Sequence, residues 1–176
     1  MTTTIPDAIA FQDAIALTQQ LLQADLEGET VSQLVSSVNG ARGFFVVYLT
    51  AKNSPADQPS DEILKALAQN PDTVNDLMVK NIVMSAAMTV THRRNGDDAM
   101  VAKSQTTSDR ALTHVKGVLE LGGPAADDLA NLVRQMNQAL TEGTGDYMKF
   151  LTTWGYDPEQ QQVMATAIAP LMENLG

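Results

Sequence analysis

The residues best suited to chemistry lie together in Thr91-His92-Arg93-Arg94-Asn95-Gly96-Asp97-Asp98, where a histidine and two arginines precede a turn and two acids follow it. Arginine forks match carboxylates and phosphates in shape and charge. The stretch is therefore a candidate site for a small anion or an acidic protein partner. Lys103 and Arg110 lie on the returning chain and extend the basic surface, with Lys116 further along. Helix electrostatics gives the same residues an architectural role, since cations suit the negative end of one helix and acids the positive start of the next.

A second group can line a pocket. Met84 belongs to an apolar stretch and Tyr147 and Trp154 to an aromatic one, while Lys80 or Arg42 supplies an anchoring charge for an anionic or apolar ligand. Helical bundles often hold ligands between their helices. The same aromatics, with Phe150 and Tyr156, also read as a cluster closing one end of a core. Lys80 and Asn81 discriminate between these arrangements, because polar groups inside a core need partners and at a surface do not.

Catalysis finds little support. His92 and His114 are the only histidines and cysteine is absent, which removes thiolate chemistry and leaves no His-Glu-x-x-His or Glu-x-x-His pattern for a metal. A hairpin turning near Gly96 puts His114 opposite Met78 and Lys80, far from His92. No catalytic residue, metal ligand or cofactor is assigned. Gly143-Thr144-Gly145 lacks the context of a dinucleotide loop and reads as a turn. Asn39-Gly40-Ala41-Arg42-Gly43 reads as a bend between two short helices.

Charge narrows the partners. The chain of 176 residues carries −10 in total, yet residues 80 to 116 hold six cations against three acids and so carry +3, leaving −13 for the remainder. A body this acidic repels nucleic-acid phosphates, so broad nucleic-acid binding is not expected. The lack of cysteine suits a reducing cytoplasm. Residues 1–7 lack the pattern of a secretory signal, and no apolar run approaches the roughly 20 residues of a membrane span.

The elements that must position these groups are helices. The sequence predicts an all-α, single-domain bundle over residues 1–176, of about seven to eight helices. A central apolar helix runs near 71–94 and its antiparallel return near 97–121. Leu77 to Thr91 is apolar or small nearly all round, as in a helix at the centre of a bundle. Pro71, Pro124 and Pro158 mark first helical turns. Asn70 and Asp157 stand as caps, and Gln160 completes a capping box with Asp157. Ile5, Ile9, Ile15, Leu22 and Leu26 place a first helix from about Pro6.

Residues 44–50, Phe-Phe-Val-Val-Tyr-Leu-Thr, favour a strand by local propensity. No second run of this kind exists to pair with it, and an isolated strand leaves its backbone groups unsatisfied. The segment is read as a buried helix beginning near Asn39 or Ala41, the alternative being a strand paired across a dimer. Pro170 is expected to kink or shorten the last helix.

Two functional expectations follow. The leading one is a non-enzymatic interaction or regulatory protein, as a monomer or a homodimer, that meets an acidic partner or small anion through His92, Arg93, Arg94, Lys103 and Arg110. The other is a small-molecule-binding bundle or enzyme with a pocket between its helices, using Arg42, Lys80, Met84, Tyr147 and Trp154.

Overall fold

The computed structural model describes residues 5–175, and all the regular structure among them is helical. The first residues of the signal-peptide reading, 1–4, lie outside that range. Four short helices come first: α1 Phe11–Leu21, α2 Gly28–Val35, α3 Val38–Tyr48 and α4 Asp61–Ala68, with a 3-10 turn at Pro55–Asp57. The bundle proper follows: α5 Pro71–Arg94, α6 Asp98–Leu121, α7 Pro124–Glu142, the short α8 Met148–Trp154, and α9 Pro158–Leu175. Among the described residues there are nine helices, in keeping with a single bundle of about seven to eight.

The proline marks locate the helix starts. α5, α7 and α9 begin at Pro71, Pro124 and Pro158, each at a position whose N–H would lack an intrahelical partner in any case. The Asp157/Gln160 capping box forms both of its bonds. The Gln160 N–H donates to Asp157 at 3.0 Å and the Asp157 N–H to Gln160 Oε1 at 3.1 Å. Asn70 does not cap α5. Its amide reaches back to the Ser32 carbonyl and hydroxyl at 3.1 Å, tying the start of α5 to α2.

Residues 44–50 are helical through Tyr48, with no strand across a dimer, and α3 starts earlier than expected because the Ser37 hydroxyl accepts the Gly40 N–H. There is no bend at Gly40 or Gly43. These glycines allow close approach instead: a Cβ on Gly43 would stand 2.5 Å from that of Ala14 on α1. α1 begins at Phe11, so Ile5 and Ile9 are buried from non-helical chain, where the Gln33 amide donates to the Ile5 carbonyl. α9 continues through Pro170 to Leu175 and is not shortened by it.

α5 is central. It packs on α6, α9 and α7, while α1 rests on α3, α2 joins α3 to α4, and α4 reaches α6. One buried cluster unites Phe44, Leu67, Ile82, Val118, Leu129 and Ile168. Each such side chain contributes about 1.5–3 kcal/mol when fully buried. α5 is not covered all round: Met78 is buried, Met84 half-buried and Met88 exposed. Among the described residues no helix is long and apolar enough to cross a membrane.

Candidate functional site

The arginine hairpin is occupied from within the chain. α5 delivers Arg93 and Arg94 to the exposed start of α9, where Arg93 Nη2 lies 2.6 Å from Glu159 Oε1. Arg94 forks across both Asp157 oxygens and also reaches Glu159. Its hydrogen bonds to Asp157 and then Glu159 raise the Arg94 pKa, and the same contacts hold Asp157 down at about 2. Glu159 is lowered for the same reason, its bond to Arg94 being the largest cause. His92 is half-buried, and Lys103 on α6 is exposed.

Arg110 does not belong to that surface, contrary to the sequence reading. It is 7% exposed, and its guanidinium is turned towards the segment that follows α3. Its guanidinium donates to the carbonyls of Leu49 at 2.9 Å and Ala51 at 2.8 Å and pairs with Asp57. A buried charge is tolerable only when paired and hydrogen-bonded in this way. One turn along α6, His114 is fully buried. Its Nδ1 lies 2.6 Å from the Arg110 carbonyl and so carries the proton, leaving Nε2 to accept from the Tyr48 hydroxyl at 3.2 Å. Burial lowers the His114 pKa and raises that of Tyr48. The side chain that meets His114 Nε2 is therefore Tyr48 of α3.

A groove of about 470 Å³ opens between α5, α7 and α8. α5 contributes Asp76 and Lys80, one turn apart on the same face, and α7 contributes Leu132 and Gln135. α8 and the turn before it supply Asp146, Tyr147, Lys149, Phe150, Thr153 and Trp154. Asp76 organises the floor. One of its oxygens accepts the Tyr147 hydroxyl at 2.7 Å and the other the Lys80 ammonium at 2.7 Å. That ammonium stands 5.3 Å from the centre of the Phe150 ring and 5.9 Å from that of Tyr147, within cation–π range. Burial and then the hydrogen bond to Asp76 push the Tyr147 phenol well above its ordinary pKa.

Tyr147, Phe150 and Tyr156 pack edge to face or tilted, as a core-closing cluster should. Trp154 does not join them. It ends α8 with 61% of its surface exposed, and Gly155 in the left-handed region at φ 65° turns the chain away immediately after it.

The sequence matches, over residues 10–171, the family described as "Uncharacterised conserved protein UCP020893". The chain belongs to that family. Comparison with curated proteins and with solved structures gave no match.

In this family member, then, the site must be read from its own side chains. Lys80, Tyr147 and Trp154 from the pocket reading meet in one groove. Met84 lies further along α5, outside its lining, and Arg42 stands over the Phe11 ring of α1 on another face. Asp76, Leu132, Gln135, Asp146, Lys149 and Thr153 were missed. The four-residue step from Asp76 to Lys80, and that from Lys149 to Thr153, were the available signals. A larger polar depression between α2 and α4 is stitched within the chain, with Glu62 accepting the Gly28 N–H and Ser32 bonded to Gln69 and Asn70. Among the described residues no three His, Asp or Glu side chains converge to hold a metal.

Proposed function

We propose that this protein is a non-enzymatic binding protein of the cytoplasm whose ligand is a small molecule held in the groove between α5, α7 and α8. The observation that carries the reading is the exposed Trp154 indole beside a Lys80 ammonium already fixed by Asp76 and two aromatic rings. Large aromatic surface is expensive to leave in water and favours a partner. The polar groups beside it are preorganised, so binding orders little that is not already ordered. The volume lies within the range of about 300–1,000 Å³ usual for small-molecule sites.

The arginine hairpin is the second reading, favoured by one observation: residues 93–99 are exposed throughout. An acidic partner there must first displace Asp157 and Glu159, which costs part of what the new contacts contribute. In the groove Lys80 is likewise held by Asp76, but Lys149 forms no ion pair among the described residues and is open to a ligand.

Titrating labelled protein with the small-molecule fraction of its own cells, and following backbone amide shifts, tests the choice. The groove reading expects shifts clustered at Asp76, Lys80, Gln135 and residues 149–154. Shifts confined to residues 91–103 would overturn it in favour of the hairpin.

A further inference from the structure

We infer that the groove takes a planar aromatic monoanion, its ring system against the Trp154 indole and its anionic group on the Lys149 and Lys80 ammoniums; this rests on the groove being the ligand site. The first argument is the balance of donors and acceptors. An ammonium has three N–H donors, and Lys80 uses one of them on Asp76. Lys149 lies in the lining with no ion pair among the described residues. Gln135 and Thr153, also in the lining, can donate or accept and so favour neither sign. On the acceptor side, both oxygens of Asp76 are engaged, by Tyr147 and by Lys80. Asp146 is the one remaining acid in the lining, which holds two lysines. The groups that can only donate are the two ammoniums, and a ligand that brings acceptor oxygens completes them.

The second argument concerns the aromatic surface. A ligand cation would be drawn to the faces of Phe150 and Tyr147, but Lys80 already occupies that position. The aromatic surface left over is the exposed indole of Trp154. Flat apolar rings stack on such a surface with little orientational demand. The ligand is thus apolar and planar at one end and anionic at the other.

Trp154 is the sole tryptophan of the chain, so the protein gives a single indole N–H signal in a nitrogen–proton NMR spectrum. Three probes of one shape separate the possibilities: 2-naphthoate, 2-naphthylmethylammonium and 2-naphthalenemethanol. The expected result is a saturable shift of the indole signal with naphthoate, about tenfold tighter than with the ammonium probe, the size of one charge-assisted contact. In Lys149→Glu, an exposed-helix change that leaves the core alone, that preference disappears. Equal or tighter binding of the ammonium probe, or a naphthoate affinity untouched by Lys149→Glu, would overturn the anion assignment and leave the groove standing. No shift with any of the three would overturn the groove itself.

Discussion

The Arg110 guanidinium and the Asp57 carboxylate meet at two points, Nε to Oδ1 at 2.7 Å and Nη2 to Oδ2 at 3.1 Å, across 53 residues of sequence. The pair is asymmetric, with Arg110 buried and Asp57 largely in water. Removing the arginine therefore orphans the carbonyls of Leu49 and Ala51, whereas removing the acid leaves a position that water can fill. Arg110→Met should lower the unfolding free energy by about 2–4 kcal/mol. Asp57→Asn should lower it by clearly less. Urea unfolding midpoints check both, and equal losses would contradict the account.

His114 makes stability depend on pH. Burial is the main cause that holds its pKa below the 6.5 of a free histidine, with the Arg110 charge acting in the same direction. Below pH 6.5 the unfolded chain therefore binds a proton that the folded chain refuses. Stability is full above that pH and falls as pH drops through it, at up to about 1.4 kcal/mol per pH unit. The depressed carboxylates Asp57, Asp157 and Glu159 titrate lower, so the window from pH 6.5 to 5 belongs to the histidine. His114→Gln should flatten the curve there. An unchanged slope in that variant would assign the pH dependence elsewhere.

Asp157 reports on the arginine clamp. The hydrogen bond from Arg94, and then the Gln160 N–H of the capping box, hold its carboxyl at about 2. Its contribution to stability is present above the ordinary value of 3.8 and is lost as pH falls through 2. A carboxyl-carbon NMR titration should find this midpoint, and Arg94→Met should move it back towards 3.8. A wild-type midpoint already near 3.8 would mean that the clamp is open in solution.

Much of the architecture could be read from the sequence because its signals are local. Pro71, Pro124 and Pro158 act through their own missing N–H, and Asp157 and Gln160 lie three residues apart, so these starts were legible. Asn70 shows the limit. Its residue type suits a cap, but its Oδ1 accepts no N–H of α5, and its amide N–H groups donate instead to Ser32, brought beside it by the packing of α2 on α4. Arg110 was misplaced for the same reason, since all its partners come from the Leu49 to Asp57 stretch. The hairpin arginines stand out in the sequence as neighbouring charges, while the acids that hold them lie more than 60 residues away. In the groove, the aromatic run of α8 was visible in sequence. Which lysine it would meet depended on how α8 lies against α5.

The central claim is that the groove, not the arginine hairpin, holds the ligand. Native mass spectrometry of protein isolated gently from its own cells tests it most directly, comparing wild type with Trp154→Ala and with Arg93→Glu/Arg94→Glu. The account predicts a small molecule of defined mass on the wild type, lost from Trp154→Ala and kept by the arginine variant. A protein partner retained by the wild type and by Trp154→Ala, but lost when the arginines are reversed, would contradict it.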